Sequence, residues 1–541
     1  QVMLSSEELL HYNASVNDVH NIDVLLGVNT NKEQAFSMYG YGLRGVSDDV
    51  YYYNPQKVPP VVNHGTPEFP DYAATRYYSS DFTEKRMVSY FGRLGYNYKQ
   101  RYLLEFTFRR DGSSTFGEGN RWANFPSVAV GWSFSEEPFI KRLTGGWLNW
   151  GKIRGSYGKS GQTFTSAYLA HGLMNIMDKS FFGKTGITTD KPVSPYLTWE
   201  KTRQYDLGLD MDMFNYRLNV KLDYYYKYTS SLIYDIPIPG SLYAFGAQVE
   251  NAMEISNEGL ELELQADILR ESAVSWRMKF NMARNWNRFE KSYSGKDVVD
   301  GDGTLLVVGR PLNGLYVWAH RGYYNSDAEV PRLYKIDGQE IYFNGVATNG
   351  ISGAVGDYRL LDLDGDGNPD SYYAGSPLPL AHGGWVNELM WKNFDLNVLV
   401  NFTIGRKMIN NRMGLGFSRQ SEDGHLTKLF DYRKLRPWDG VNKKPNAPAW
   451  GNSLSMNTDS AIEKVHHLAL KQITLGYNLP DRISKKAGLS GVRFFLTAEN
   501  LFYLSNYSGG NPEVVNIYTG RDNGDTYPLP RKYTLGLTLN F

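Results

Sequence analysis

The sequence predicts an all-β fold, specifically a transmembrane antiparallel β-barrel. The prediction comes from strict alternation of apolar and polar residues, from the length of the alternating segments, and from connections that alternate between short and long. A period of two gives a strand one apolar face and one polar face, as a barrel wall between lipid and a polar interior requires. The last nine residues are the clearest case, with apolar Tyr533, Leu535, Leu537, Leu539 and Phe541 separated by Thr534, Gly536, Thr538 and Asn540.

The same alternation recurs along the chain. It covers residues 102–109, 127–134, 204–213, 218–226, 260–268, 276–283 and 394–403. Any one of these segments also fits a half-buried strand of a soluble sandwich. Strands in soluble proteins average about five or six residues, whereas a tilted membrane strand needs about nine to eleven. The long series therefore favours a barrel.

The composition agrees with a barrel and excludes other classes. The 541 residues include 40 tyrosines, and aromatic residues make up 14%, as expected where aromatic girdles mark both membrane interfaces. Mean hydropathy is −0.45, and the absence of any run of about 18 apolar residues excludes a helical membrane protein. The net charge of zero argues against a nucleic-acid partner, and the lack of cysteine removes disulfides and thiolate chemistry.

The predicted connections fall into two classes, short turns and long loops. The short turns are Lys99-Gln100, Asn215-Tyr216, Glu271 to Ala273 and Lys392-Asn393. The long loops are rich in glycine, tyrosine, asparagine and aspartate and lie near 45–85, 161–200, 229–256, 287–382, 406–467 and 502–530. Short periplasmic turns that alternate with long extracellular loops are typical of bacterial outer-membrane barrels.

About fifteen strands are predicted, and the alternation of turns and loops fixes their direction. They lie near 9–17, 21–31, 87–98, 101–110, 124–134, 150–160, 202–214, 217–228, 257–269, 274–286, 383–391, 394–405, 468–479, 491–501 and 531–541. Residues 314–324 also look like a strand, but a further span would break the alternation, so we assign them to the extracellular excursion or to a hairpin that faces the lumen. Single-chain bacterial barrels have even strand numbers. An odd count therefore predicts that residues 1–541 form the C-terminal part of a larger barrel.

One segment resembles half of a calcium-binding loop. Oxygen ligands occur at every second position, with glycine at the sixth, as in the first half of an EF-hand loop. The twelfth position is Tyr373 rather than glutamate, and the same pattern fits a surface hairpin rich in Asx-turns that holds no ion. The candidate ligands are Asp362, Asp364, Asp366, Asn368 and Asp370.

Other motifs give little support to chemistry. Residues 40–45 fit G-x-G-x-x-G, but no helix follows to bind a dinucleotide, so we interpret them as a strand-to-loop transition. His466 and His467 lack a further ligand at helical spacing, and are expected to be solvated or to face the lumen. No G-x-S-x-G or H-E-x-x-H motif occurs, and no carboxylate pair can be singled out as acid and base. The sequence therefore indicates no enzyme, no catalytic residue and no required cofactor.

Two sets of side chains are candidates for ligand contact or for lining a cavity. The first consists of loop tyrosines, which could stack on sugars or contact a partner although barrel loops are generally rich in tyrosine: Tyr51, Tyr52, Tyr53, Tyr77, Tyr78, Tyr372 and Tyr373. The second consists of charged residues on the predicted lumen face, which either line a cavity or simply pair with each other: Arg93, Glu105, Arg109, Arg154, Asp210, Glu261, Glu263, Arg277 and Lys279.

Several motifs, in a fixed order from about residue 86 to the end, carry a family resemblance. They include Ser89-Tyr-Phe-Gly-Arg-Leu-Gly-Tyr-Asn-Tyr98, Phe108-Arg-Arg-Asp-Gly-Ser-Ser114, Lys152-Ile-Arg-Gly-Ser-Tyr-Gly158, Leu197-Thr-Trp-Glu-Lys-Thr202, Asn257-Glu-Gly-Leu-Glu261, Asp362-Leu-Asp-Gly-Asp-Gly367, Ile473-Thr-Leu-Gly-Tyr-Asn-Leu-Pro480, Ala498-Glu-Asn-Leu-Phe502 and Tyr527-Pro-Leu-Pro-Arg531. With these motifs the chain resembles the SusC/RagA family of TonB-dependent outer-membrane transporters of Bacteroidetes.

The resemblance implies a 22-stranded barrel in the bacterial outer membrane, with an N-terminal plug and energy supplied through TonB. It also implies a SusD-like surface lipoprotein as a lid and uptake of glycan oligosaccharides or peptides. The sequence departs from the family pattern because no plug, TonB box or N-terminal extension is recognised in it. We expect these parts on an omitted portion of the precursor or on a separate chain.

Two functions remain open at the sequence level. The first is the barrel portion of a nutrient importer. The second is a SusC-like barrel that serves as a structural subunit of a larger outer-membrane biogenesis or secretion complex. A passive porin is the weakest reading, because the loops are long and the family resemblance is specific.

Overall fold

The computed structural model consists of two compact units and describes most of the chain. The described residues are 1–42, 61–63, 72–74, 76–163, 166–172, 174–181, 184–189, 192–243, 245–270, 272–299, 305–330, 332–334, 340–342, 355–363, 370–411, 436–441, 444–449, 458–486, 488–524 and 526–541. Unit 1 contains Gln1–Val130, Ser156–Gln204 and Thr229–Met253. Unit 2 contains Gly131–Gly155, Tyr205–Tyr228 and Glu254–Phe541.

The described secondary structure is almost entirely β-strand. In chain order the strands are β1 Val2–Val16, β2 His20–Gly42, β3 Val61–Asn63, β4 Tyr72–Ala74, β5 Arg76–Tyr98, β6 Tyr102–Ser113, β7 Trp122–Trp132, β8 Leu148–Gln162, β9 Met174–Phe181, β10 Lys184–Thr189, β11 Glu200–Met213, β12 Leu218–Pro237, β13 Ala247–Leu269, β14 Val274–Lys291, β15 Val298–Val299, β16 Leu305–Leu306, β17 Leu315–Trp318, β18 His320–Tyr323, β19 Arg332–Tyr334, β20 Glu340–Tyr342, β21 Tyr358–Leu360, β22 Ser371–Gly375, β23 Ala381–Trp391, β24 Phe394–Asn410, β25 Ile462–Asn478, β26 Gly491–Ser505, β27 Arg521–Asp522 and β28 Lys532–Asn540.

Helices are few and short. They are α1 Pro138–Thr144, α2 Gly240–Tyr243 and α3 Asp481–Lys486, with single 3₁₀ turns at Phe134–Glu136, Asp459–Ala461 and Pro512–Val514. In the described part of the chain, every helix is too short or too polar to cross a membrane.

One large sheet follows the order of the chain. Its paired strands are β1, β2, β5, β6, β7, β8, β11, β12, β13, β14, β23, β24, β25, β26 and β28, and β27 adds a short parallel pairing to β24. The strand pairs whose registers are known along this path are antiparallel. Each of the fifteen predicted strands overlaps one strand of this path, so the period-two pattern located them correctly.

The predicted and observed strands agree best at the short turns. At those ends every boundary lies within two residues of its predicted position. Lys99 and Gln100 have φ of 53° and 55°, the left-handed conformation that a two-residue hairpin turn demands. Asn17 and Asp18, with φ of 53° and 56°, reverse the chain between β1 and β2 in the same way.

At the loop ends of β7, β8, β11, β23 and β28 the predicted boundaries also lie within two residues of the observed ones. At the other loop ends the predicted boundaries are wrong, because the strands continue into segments predicted as loop. β2 reaches Gly42, eleven residues past the predicted end at 31, and β5 begins at Arg76 inside the predicted loop 45–85. β13 likewise begins at Ala247, inside the predicted loop 229–256. Outside a membrane a strand needs no lipid-facing alternation, so the sequence pattern stops before the strand does.

Residues 314–324 do not join the large sheet. β17 pairs with β22, and β18 pairs with β21, as separate two-stranded sheets. The expectation that this segment does not span the membrane is thereby supported. Buried Leu315, Val317, Ala374 and Ile409 form a hydrophobic cluster that packs β17 and β22 against β24 within unit 2.

The large sheet has two chemically distinct faces. On one face of unit 1, residues paired across β1, β2, β5 and β6 are apolar, as in the row Leu10, Leu26, Gly92 and Phe108. The exposed side chains of that face include Leu10, Leu26, Leu94, Phe106 and Phe108. The other face carries charged groups such as Asp23 and Arg93. We refer to these as the apolar face and the polar face.

Candidate transport pathway and its loop cover

The polar face of unit 1 carries small networks of ion pairs. Asp23 accepts from Arg93 Nη2 at 2.9 Å and lies 2.5 Å from His11 Nε2. Arg109 Nε lies 2.7 Å from Asp111 Oδ1, and its Nη2 donates to Ser89 Oγ at 2.8 Å. Such partly exposed pairs each contribute about 0–1 kcal/mol to stability. Their main consequence is a polar surface whose charges are locally neutralised.

Unit 2 carries the same kind of pairing on its strands. Arg154 lies between Asp210, at 3.0 Å, and Asp223, at 2.5 Å. Gly208 makes room for this guanidinium, because a Cβ there would lie 2.4 Å from Arg154 Cζ. Further pairs join Arg277 to Asp267 at 2.7 Å, Lys279 to Glu388 at 2.7 Å, Lys221 to Glu263 at 3.5 Å and Arg493 to Asp395 at 2.5 Å.

Most of the charged residues singled out from the sequence therefore pair with each other or with a neighbour. Glu105 and Glu261 differ from the rest. Both are exposed, and neither forms an ion pair with any residue that the structure describes. The sequence located the polar face correctly but not the pairs, because every partner except Asp111 lies on another strand.

In unit 2, side-chain contacts of Asp459 link the 3₁₀ turn Asp459–Ala461 to β18 and β22. The Asp459 carboxylate contacts His320 Nδ1 and accepts from Tyr372 Oη at 3.2 Å. The neighbouring Ser460 Oγ donates to Tyr358 Oη at 3.0 Å, and the Tyr358 ring stacks on Tyr323 with centroids 5.4 Å apart. Burial raises the pKa of the Tyr358 and Tyr323 hydroxyls. Both therefore remain neutral hydrogen-bonding groups at physiological pH.

A buried arginine fastens the segment 506–522 to the end of β24. Arg406 is only 4% exposed, and its guanidinium donates to the carbonyls of Pro512, Val515 and Asn516 at 3.2, 2.9 and 2.7 Å. Gly405, with a φ of 71°, lies at the register shift that precedes Arg406. We call this arrangement the Arg406 clamp.

The clamped segment has its own small core. Met408, Val465, Tyr507 and Val515 form a buried cluster. The Tyr507 hydroxyl donates to Asp522 Oδ2 at 2.7 Å. The clamp and this cluster together make the segment a fixed part of unit 2 rather than a loose loop.

A cavity of about 350 Å³ with both apolar and charged lining residues lies beside the clamped segment. Its lining includes Lys471, Asn511, Glu513 and Arg531. Lys471 Nζ lies 3.4 Å and His467 Nε2 lies 3.8 Å from the Glu513 carboxylate. His467 and, with a smaller effect, Lys471 hold the pKa of Glu513 below its ordinary value. His467 is buried and His466 is exposed, so the two histidines lie in different environments and do not form one binding site.

The hairpin formed by β2 and β5 extends past its neighbouring strands in unit 1. The pairing of β1 with β2 ends at Gln34, and the pairing of β6 with β5 ends at Met87. We call residues 35–42 and 76–83 the β2–β5 ribbon. No third strand pairs with the ribbon in the described part of the chain.

The ribbon carries a cluster of tyrosines on the continuation of the polar face. Tyr39, Tyr41 and Tyr77 lie with ring centroids 5.6 to 6.3 Å apart, and all three are exposed. Of the predicted contact residues, Tyr77, Tyr78 and Tyr372 are exposed, Tyr373 is half-buried, and Tyr51, Tyr52 and Tyr53 lie outside the described residues. Tyr39 and Tyr41 were missed, although they alternate with Gly40 and Gly42 as strand residues do.

The predicted calcium loop is described only at its two ends. Asp370 Oδ2 accepts from the Leu363 backbone amide at 2.6 Å, and the Asp370 amide donates to the Leu361 carbonyl at 2.9 Å. Asp362 is also described, whereas Asp364, Asp366 and Asn368 lie outside the described residues. In the part that is described, no group of three or more histidine, aspartate or glutamate side chains could hold a metal ion.

The G-x-G-x-x-G segment ends a strand rather than beginning a helix. Gly40 and Gly42 belong to β2, and Gly45 lies outside the described residues. The interpretation of this motif as the end of a strand is supported for its described half.

A long antiparallel sheet with one apolar and one polar face defines the wall of a membrane β-barrel. The chain matches the family described as "TonB dependent receptor-like, beta-barrel" over residues 8–375. The chain belongs to this TonB-dependent receptor β-barrel family and is an outer-membrane protein. The apolar face is accordingly the face in contact with lipid.

Individual relatives support the same assignment. The chain is 30% identical to TonB-dependent receptor P26 of Formosa agariphila, over 99% of this chain and 53% of that protein. It is 29% identical to TonB-dependent receptor SusC of Bacteroides thetaiotaomicron, over 87% of this chain and 45% of that protein. The chain thus spans about half the length of the curated relatives it matches.

A solved structure shows the same fold. The chain aligns over its whole length with 55% of a chain in the structure of the RagAB peptide transporter, with a TM-score of 0.80 and 22% identity. The family match and the SusC relative, together with this shared fold, confirm the resemblance to the SusC/RagA family that the sequence motifs indicated.

Proposed function

We propose that this chain is the barrel portion of a SusC-like, TonB-dependent nutrient importer that takes up glycan oligosaccharides or peptides. The observation that carries the proposal is the continuity between the polar face and the exposed tyrosines of the β2–β5 ribbon. Tyr39 and Tyr41 lie on the same face of β2 as Asp23, and Tyr77 lies on the same face of β5 as Arg93. Aromatic rings bind both sugars and peptide side chains by stacking.

The neutralised ion pairs fit a pathway for large, uncharged or mixed-charge substrates. A face dominated by one sign of charge would concentrate ions of the opposite sign. Here every arginine and lysine of the predicted set lies beside a carboxylate. The proposal therefore favours oligosaccharides or peptides over small inorganic ions, and it assigns no catalytic role to the chain.

The partners follow from the family and belong to the same proposal. A SusD-like surface lipoprotein would close the pathway from the outside, and TonB would supply energy through a plug or N-terminal region beyond the matched half of the relatives. The chain would then form the C-terminal part of a 22-stranded barrel. Peptide transport is the described activity of RagAB, and we extend it to this chain only because the two are similar.

Growth of a deletion strain tests the proposal directly. The full-length gene is deleted, and growth is measured on a panel of oligosaccharides and peptides as sole carbon or nitrogen source. Loss of growth on one class, restored by the intact gene, is the expected result. Normal growth on every class, with changed abundance of other outer-membrane proteins, would favour the structural-subunit alternative.

We also propose a weak calcium site in the segment Asp362 to Asp370. Thermal unfolding of the purified protein is compared in calcium and in chelator, with Asp364→Asn as the variant. A stabilisation by calcium that the variant abolishes supports the site. Identical curves under all conditions would leave only the hydrogen-bonded hairpin base formed by Leu361, Leu363 and Asp370.

A further inference from the structure

The apolar face of unit 1 is bounded by two rows of distinctive residues. At the end with short turns, the row contains His20, Tyr98 and Tyr102, and Lys99 lies 5.1 Å above the Tyr98 ring. Four rows further along the strands, the row contains Glu8, Val28, Tyr90 and Arg110. The two rows lie about 27 Å apart along the strands. With strands tilted by about 35–45°, this separation is about 20 Å in height, which fits within the apolar band of about 25 Å that a membrane barrel carries.

An open groove crosses this band directly below Arg110. Gly92 lies in the row of Leu10, Leu26 and Phe108 and contributes no side chain to it. The groove has a volume of about 790 Å³ and is lined mainly by apolar atoms of β1, β2, β5 and β6. Sites for small organic ligands are roughly 300–1,000 Å³, so the groove can hold more than a single side chain.

The charged group at the rim of the groove is held in place by aromatic rings. Arg110 Cζ lies 5.3 Å above the Trp122 ring, and Trp122 stacks on Tyr90 with centroids 6.1 Å apart. Gly112 permits this arrangement, because a Cβ there would lie 2.8 Å from the Trp122 ring. The guanidinium is therefore fixed at the boundary between the apolar band and the loop side.

Arg110 also differs from the cations above it. Lys32 and Arg86, in the second row beyond it, both pair with Glu84, at 3.3 and 2.6 Å. Arg110 has no carboxylate partner among the residues that the structure describes. Glu8 lies in the same row but three strands away, about 14 Å by strand spacing. The rim thus presents a fixed cation without a local anion.

We propose that this groove binds an anionic, phosphate-bearing lipid, with its acyl chain over Gly92 and its headgroup on Arg110. A guanidinium recognises phosphate through paired hydrogen bonds, and basic sites at a membrane boundary bind anionic headgroups. The apolar floor and the cationic rim match the two ends of such a lipid. The site lies on the lipid side of the barrel, so it is independent of the transport pathway.

Native mass spectrometry of the full-length protein in detergent tests the proposal. Dioleoyl phosphatidylglycerol and dioleoyl phosphatidylcholine are titrated, because they differ in headgroup charge but not in acyl chains. We expect one phosphatidylglycerol to be retained preferentially, and Arg110→Gln to weaken its binding about tenfold. Gly92→Leu, which fills the groove, should weaken both lipids.

Lys99→Gln is the matched control, since Lys99 is also a cation above an aromatic ring but lies at the opposite edge of the band. It should change binding by less than about twofold. Heat-modifiable migration in SDS gels confirms that each variant is folded. Equal retention of the two lipids by the wild type, or equal losses in Arg110→Gln and Lys99→Gln, would overturn the proposal.

Discussion

The β2–β5 ribbon of unit 1 and the clamped segment 506–522 of unit 2 differ in the contacts that hold them in place. The clamped segment is fixed by a buried guanidinium, a buried cluster and a tyrosine–aspartate hydrogen bond. The ribbon has exposed aromatic and apolar side chains on both faces, including Phe36, Met38, Tyr39, Tyr77 and Phe82. An isolated two-stranded ribbon is only marginally stable. The difference is that the clamped segment is held by contacts within unit 2, whereas the ribbon leaves these side chains exposed.

The largest effect is expected from Arg406→Ala. The change removes three hydrogen bonds from a charged donor, including the one to the carbonyl of buried Val515, at a cost of at least about 3 kcal/mol. Hydrogen exchange in residues 506–522 should then accelerate about a hundredfold, while exchange in the ribbon stays the same. Exchange measured by mass spectrometry checks this.

Arg531→Ala is the control, because Arg531 borders the cavity beside the clamped segment but is exposed. Equal exchange in the two variants would show that the clamp does not hold the segment. Arg406→Lys should give an intermediate rate, since lysine keeps the charge but loses the planar fork.

A smaller effect on the same segment is expected from Tyr507→Phe. The variant keeps the ring in its cluster but removes the 2.7 Å hydrogen bond to Asp522. A hydrogen bond to a charged acceptor contributes about 1.5–3 kcal/mol, so exchange should rise by about ten- to a hundredfold. Tyr518→Phe, at an exposed tyrosine nearby, should change nothing, and an equal response of the two variants would argue against this hydrogen bond.

Acid should loosen the clamped segment through Glu513. The pKa of Glu513 is lowered from its ordinary value near 4.5 by His467 and then Lys471. A lowered folded-state pKa means that the stabilisation is present above pH 4.5 and is lost as the pH falls through the folded-state pKa. Exchange of 506–522, corrected for intrinsic rates, should therefore rise as the pH is lowered below 4.5. Glu513→Gln should abolish this rise. If exchange still rises in the variant, a group other than Glu513 is responsible for the acid effect.

The smallest effect on stability is expected in the ribbon. Tyr41→Ala removes an exposed ring from a cluster of aromatic contacts, each of which contributes about 0.5–1.5 kcal/mol. Ribbon exchange should change by less than about tenfold, whereas uptake of the transported substrate should fall by about three- to tenfold. Tyr12→Ala, at an exposed tyrosine on the lipid face, is the control. Unchanged uptake in Tyr41→Ala would show that this tyrosine of the ribbon does not take part in transport.

The parts of the fold that could be predicted are those where the membrane imposes a rule. Lipid on one side and a polar interior on the other force a period of two, and this located the turn-side ends of strands such as β5, β6, β23 and β24 within two residues. The rule ends at the membrane boundary, so the continuation of β2 to Gly42 was missed.

The candidate site was predictable in residue type but not in arrangement. Arg154 and Asp210 were both singled out, yet their pairing across 56 positions was not. Arg406 and its carbonyl partners are more than 100 positions apart. Every residue has a backbone carbonyl, so the sequence does not indicate which carbonyls accept these hydrogen bonds. Only Gly405 before Arg406, an interruption of the alternation, could have indicated an unusual position.

The most direct test of the proposed importer is purification of the native complex in mild detergent, with the intact mass of every subunit. A full-length protein of about twice this chain's length, with a plug and one SusD-like surface lipoprotein, is the predicted result. Several unrelated outer-membrane subunits, with no such lipoprotein, would contradict the importer and make this barrel a structural subunit of a larger assembly.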